Sequence, residues 1–173
     1  AVLEIAEMLQ APVVSNRQGR GVVSDKHYLS VTQMAGHRLW EKTDAVLAVG
    51  TRLQQHRMVW GVDADLPIVR IDIDPTQMHR LGAPRIGIVA DAREALTQLA
   101  NALGTTNRAR ASREEEITAL NASLDAVLEE KLQPQIDYVR AMREALLDLA
   151  DETQTPVCDA ATLLAQRSRG GIS

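Results

Sequence analysis

Residues 45–52 read AVLAVGTR and residues 68–75 read IVRIDIDP, and these two stretches decide the fold class. Each is a short apolar run rich in β-branched residues that ends on turn-forming residues, the pattern of a strand buried on both faces of a parallel sheet. About one crossover unit separates them, as parallel neighbours require. In an open α/β sheet, ligands sit outside the carboxyl ends of the strands. The residues that leave these two strands are therefore the first site candidates. Gly50, Thr51 and Arg52 offer a glycine that admits close backbone approach, a hydroxyl, and a guanidinium suited to phosphate. Asp72 and Asp74 offer carboxylates that can accept hydrogen bonds from a ribose or an adenine amine.

The flanking sequence extends the alternation. Pro12 to Ser15 reads as a strand, Arg17 to Ser30 as a glycine-bearing loop, and Gly36 to Lys42 as a helix before the strand at Ala45 to Val49. Leu53 to Asp65 has short helical character ending near Gly61. Ile68 to Ile73 is a strand, Thr76 to Arg80 a helical turn, Ile86 to Ala90 the last strand and Ala92 to Leu103 its helix. This order predicts one parallel sheet of about five strands with helices on both faces, a Rossmann-like α/β fold. Val14, Val46, Leu47, Val49, Val69, Ile71 and Ile88 are expected to be buried in it.

The segments 11–27 (APVVSNRQGRGVVSDKH), 45–52, 68–75 and 88–96 (IVADAREAL) stand in an order that resembles the central domain of thiamine-diphosphate-dependent enzymes of the acetolactate synthase, pyruvate oxidase and benzoylformate decarboxylase group. The resemblance covers roughly the first two-thirds of the chain. It rests on the order and spacing of several short motifs rather than on any one. It implies a non-catalytic domain that joins the cofactor-bearing domains of an enzyme acting on 2-oxo acids and that holds FAD or ADP where the site is kept. In that family thiamine diphosphate and magnesium are bound by N- and C-terminal domains, and no GDG motif occurs in these residues. No catalytic residue and no metal ligand is therefore expected in this chain, and those two domains are its implied partners. The family pattern also places His37, after Gly36, near the cofactor cleft. The chain opens inside a helix at Ala1, so the reading is of a fragment, with a strand and glycine turn of the nucleotide site lying before it and a weakened site as the consequence.

Composition bounds the alternatives. With 173 residues and 45% apolar content, the chain can bury one sizeable core. A net charge of −4 argues against nucleic acid or an anionic membrane as the main partner. No apolar run reaches the length of a membrane span. A single cysteine, Cys158, fits a reducing, cytoplasmic compartment. Without Phe, and with two Trp and two Tyr, the core must be aliphatic, and stacking platforms for bases are not expected.

Beyond Leu103 the character changes. The expected domains are 1–103 for the Rossmann-like part, 104–133 for a linker and helix, and 134–173 for a truncated or altered start of a diphosphate-binding domain. Gly104 to Ala111 is a small polar connector. Ser112 with Glu115 reads as a capping box opening a helix with Ile117, Leu120, Leu124 and Val127 on one stripe. Pro134 ends it and opens a second helix with Ile136, Val139, Met142 and Leu146 on one face. A sheet covered by its own crossover helices leaves these stripes in need of another surface, so a homo-oligomer formed through residues 112–149 is expected.

Each site candidate has a second reading. Arg52 contacts phosphate or makes a surface ion pair. Asp72 and Asp74 bind ligand or start a turn before Pro75. Asp91 meets the adenosine or caps the helix beginning near Ala92. His27, His37, His56 and His79 show no metal-binding spacing, Cys158 has no nucleophile signature, and Gly19-Arg20-Gly21 is too short for a phosphate loop. The competing functional class is a free-standing Rossmann-like nucleotide-binding or regulatory module without thiamine chemistry.

Overall fold

Apolar runs and caps divide the chain into five helices and five strands in a computed structural model that describes residues 1–61 and 65–153. Cys158 and the rest of the 154–173 end of the expected third domain lie outside these residues. In order, α1 is Val2–Leu9, β1 Val13–Val14, β2 Ser30–Val31, α2 Gln33–Trp40, β3 Val46–Val49, β4 Ile68–Asp72, β5 Ile86–Val89, α3 Ala92–Thr106, α4 Glu114–Lys131 and α5 Ile136–Thr153. Short turns of other helical type fall at Arg17–Gly19, His56–Trp60 and Pro75–Gln77.

All strand pairs are parallel, with β1 beside β2 and β3-β4-β5 in one row. Alternating strands and crossover helices thus produce the Rossmann-like α/β fold. The expected single sheet is corrected in one respect, because the five strands fall into a two-stranded and a three-stranded sheet. β1 and β2 are two residues long, too short for an extended ladder, and β1 meets the end of β3 through side chains. Asn16 Nδ2 donates to Thr51 Oγ1 at 2.7 Å.

The expected core needs a second correction. Of the seven strand residues named, Ile71 is fully buried, Val14, Val46, Val49 and Val69 are half-buried, and Leu47 and Ile88 stand 37% and 38% exposed. Coverage explains the gradient. Ile5 of α1 with Leu96 and Ala100 of α3 closes over Ile71, whereas β5 is an edge strand whose Ile86 and Val89 are more than half exposed. On the other face, Ala48, Leu53 and Ile68 form a smaller cluster.

Local caps set the helix bounds. Thr32 Oγ1 accepts from Ala35 N–H, which starts α2 three residues before the expected Gly36. Asp91 Oδ1 accepts from the N–H groups of Arg93 and Glu94 and so caps α3. The expected capping box between Ser112 and Glu115 is not made, because α4 starts one residue later, with Arg113 at its N-cap. Ser112 Oγ accepts from Glu114 N–H, while the ion pair that braces this end joins Arg113 to Glu116 at 2.8 Å. Glu114, Glu115 and Glu116 place three carboxylates in the first turn, where the helix dipole favours negative charge.

The main correction concerns α4. Ile117 is fully buried and Leu124 is 7% exposed, both in one cluster with Ala6, Leu29, Val31 and Ala35, and Leu120 packs against it. Ile117, Leu120 and Leu124 therefore find cover on this chain's own β1–β2–α2 unit, while Val127, the fourth residue of the stripe, stays 38% exposed. Polar ties hold the connector in place. Asn107 Nδ2 donates to the Met8 carbonyl at 2.6 Å and Arg113 N–H to Gln10 Oε1 at 3.1 Å. On α5, Ile136 is buried and Val139 half-buried, while Met142 is 45% exposed; the Leu146 side chain lies outside the described residues.

Candidate functional site

Three turns meet at the carboxyl ends of β3, β4 and β5. After β3, Gly50 adopts φ +56°, and a side chain there would meet no atom within 4 Å. The position thus combines a backbone that favours glycine with open space above it. Leu53 also takes a positive φ, 51°, which a non-glycine residue adopts only when its surroundings hold it. Its side chain is buried, and its N–H donates to Thr51 Oγ1 at 3.2 Å. Thr51 therefore serves two polar partners, Asn16 and Leu53, and stiffens the loop.

After β4, Asp72 and Asp74 build a turn. Asp72 Oδ1 accepts from Asp74 N–H at 3.1 Å, and Asp74 Oδ1 accepts from the N–H and the hydroxyl of Thr76 at 2.9 and 2.7 Å. The Thr76 hydroxyl, then its N–H, holds the Asp74 carboxyl below the usual carboxylate range, with Gln77 and the Arg52 charge adding to the effect and slight burial opposing it. The two turns are joined. Arg52 Nε donates to Gln77 Oε1 at 3.0 Å, and Gln77 Nε2 reaches Asp74 Oδ2. Arg52 itself is exposed and forms no ion pair among the described residues.

After β5, Ala90 N–H donates to the Asp72 carbonyl, which seats Asp91 beside this edge, where its Oδ1 is engaged in capping α3. The structure thus brings Gly50, Thr51, Arg52, Asp72, Asp74 and Asp91 to one edge. His37 lies elsewhere, on the exposed face of α2, stacked on Trp60 at 5.3 Å.

Two features of this region escape a motif search. The first is Arg70, 1% exposed in the middle of β4. Its terminal nitrogens donate to the carbonyl oxygens of Gln77 at 2.8 Å, Met78 at 3.0 Å and Arg52 at 3.4 Å. Burial, then the nearby Arg57 charge, lowers its pKa, and Asp72 opposes the shift. A cation in an otherwise apolar strand was the available signal. The second is an aromatic cluster in which buried His56 packs at 4.2 Å from Trp60 and 5.2 Å from Trp40. Gly36 makes room for it, since a Cβ there would stand 2.6 Å from a Val14 methyl and 3.3 Å from Trp60.

Parallel strands and helical crossovers, with polar residues at the strand ends, define a Rossmann-like α/β domain. Residues 1–99 match the family model described as "Thiamine pyrophosphate enzyme, central domain", and the chain belongs to that family. It is similar to glyoxylate carboligase of Escherichia coli O157:H7, 35% identical over 105 residues, or 56% of this chain and 18% of the relative. It also resembles sulfoacetaldehyde acetyltransferase of Roseovarius nubinhibens, 31% identical over 123 residues (62% of this chain, 20% of the relative). A third relative is the acetolactate synthase large subunit of Corynebacterium glutamicum, 29% identical over 119 residues (64% and 18%). The matched region spans about one fifth of the length of these relatives.

The family name implies thiamine diphosphate. A magnesium-clamped diphosphate needs a compact set of oxygen ligands. Among the described residues no three His, Cys, Asp or Glu side chains group as they would to hold a metal ion, so this part of the chain does not fit that group. Among the same residues, no helix is long and apolar enough to cross a membrane.

Proposed function

We propose that this chain is the central, non-catalytic part of a thiamine-diphosphate-dependent enzyme acting on 2-oxo acids, and that it holds FAD or ADP at the carboxyl ends of β3, β4 and β5. The observation that carries the nucleotide reading is the edge formed by Gly50, Thr51 and Arg52. Open space over a left-handed glycine admits a diphosphate against the backbone, and an exposed guanidinium without an ion pair stands beside it. Asp72 is the carboxylate with most acceptor capacity left for a ribose, because it accepts one backbone N–H, from Asp74, while Asp74 and Asp91 each accept two or more hydrogen bonds.

In this reading thiamine diphosphate and magnesium are bound by neighbouring domains. This chain contributes a rigid connection and a nucleotide seat, in a cytoplasmic enzyme that self-associates. In the division into 1–103, 104–133 and 134–173, we read the first two parts as one folding unit, a reading supported by the packing of Ile117 and Leu124 with Ala6, Leu29, Val31 and Ala35.

Calorimetry with ADP and with FAD tests the seat. Wild type is expected to bind, and Arg52→Ala to weaken binding about tenfold, the share of one charge-assisted contact of about 1.4 kcal/mol at an exposed site. Binding unaffected by the substitution removes Arg52 from the phosphate, and no binding of either nucleotide by the wild type removes the seat.

A further inference from the structure

The loop after β3 and the turn after β4 are separate in sequence, and one buried side chain fastens both. Arg70 Nη1 donates to the carbonyl oxygens of Gln77 and Met78, and Nη2 to that of Arg52. All three acceptors are backbone groups at the strand ends, and no carboxylate pairs with Arg70 among the described residues. A guanidinium has a planar fork of five donors, so one side chain can hold three carbonyls in a fixed mutual geometry where an ammonium cannot. A charge placed in a strand core without a paired acid costs stability, which points to a role other than packing.

We propose that Arg70 is a positioning residue, fixing the spacing between the Gly50–Leu53 loop and the 74–78 turn so that Arg52 is presented to an anionic ligand at this edge. Only the last clause rests on the nucleotide reading. The consequence for Arg52 is direct. Its carbonyl is held by Arg70 and its Nε by Gln77, whose own carbonyl is held by the same guanidinium. The backbone of both residues therefore moves or stays with Arg70. The strained φ of Leu53, one residue on, belongs to the same held segment.

Amide hydrogen exchange on the ligand-free chain tests the tie, with Arg70→Met removing the donors at similar volume and Arg70→Lys keeping the charge without the fork. Exchange at Leu53 and Met78 is expected to rise at least about tenfold in both variants while the amides of α3 stay unchanged, the mark of local rather than global opening. Unchanged exchange at Leu53 and Met78 overturns the proposal, whatever binds. Should Arg70→Met fail to fold, Arg70→Lys carries the same comparison. ADP titration then reads the final clause. The weakening caused by Arg52→Ala in the wild-type background is expected to vanish in the Arg70→Lys background, a coupling that a general loss of stability does not produce. Additive effects overturn the presentation of Arg52. If exchange rises as expected but Arg52→Ala never alters ADP affinity, Arg52 is removed from the phosphate and the presentation clause falls, while the tie between the two turns stands.

Discussion

Replacing Ile117 by alanine is the sharpest probe of how α4 belongs to this fold. The side chain is fully buried among Ala6, Leu29, Val31, Ala35 and Leu124, so its neighbours come from α1, β2, α2, the segment before β2 and α4 itself. The substitution takes away three carbon atoms at about 0.8 kcal/mol each. Incomplete collapse of the space they leave raises the loss to about 3–4 kcal/mol. For a chain of this size, that lowers the melting temperature by about 6–16 °C. Urea denaturation followed by circular dichroism measures the free-energy change, and Val127→Ala, on the same helix at 38% exposure, supplies the control, expected within about 1 kcal/mol of wild type. A loss at Ile117 no greater than the control would mean that α4 is not docked on the β1–β2–α2 unit. The argument that its stripe is already covered would then collapse, and the expected oligomer would recover its strongest support.

What the sequence disclosed and what it withheld divide along a physical line. Period and punctuation are local, so AVLAVGTR and IVRIDIDP announced parallel strands, and Asp91 announced a helix start that its two backbone hydrogen bonds make real. Coverage is not local. Nothing in the pattern of Leu47 or Ile88 tells that α1 and α3 close over Ile71 and leave its edge-strand partner Ile88, and Leu47, more than a third exposed. The same holds for β2, whose two residues pair with β1 only because the whole 17–29 excursion returns to it. The α4 stripe is legible as a stripe but its cover is not, because the flank of a two-stranded sheet that takes Ile117 and Leu124 cannot be seen from helical spacing. At the candidate edge, the residue types were legible and their division of labour was not. Asp72 and Asp74 are engaged in the turn and Asp91 in a helix cap, while the residue that ties the turns together, Arg70, stands inside a strand motif and makes contacts that no local pattern encodes.

Three further outcomes follow from the packing. Gly36→Ala brings a methyl to 2.6 Å from Val14 and 3.3 Å from Trp60, so it should destabilise the chain by about 1–3 kcal/mol and shift Trp fluorescence; an unshifted spectrum with unchanged stability would show that α2 and the 56–60 turn are not in contact. Self-association should run through α5, where Tyr138 and Met142 are exposed while Ile117 and Leu124 of α4 are covered; light scattering across a concentration series should show mass falling to the monomer in Met142→Glu, and an undisturbed dimer would move the interface off this helix. His56 supplies the pH dependence. Burial against Trp40 and Trp60 lowers its pKa from the ordinary value of 6.5, so below pH 6.5 the unfolded chain binds the proton more readily than the folded one, and stability falls as pH drops from there toward the folded value. Stability at pH 7.5 should exceed that at pH 5.5, and His56→Gln should flatten this difference relative to wild type, because a neutral side chain has no proton to take up on unfolding; an identical pH slope in the variant would assign the loss to other groups.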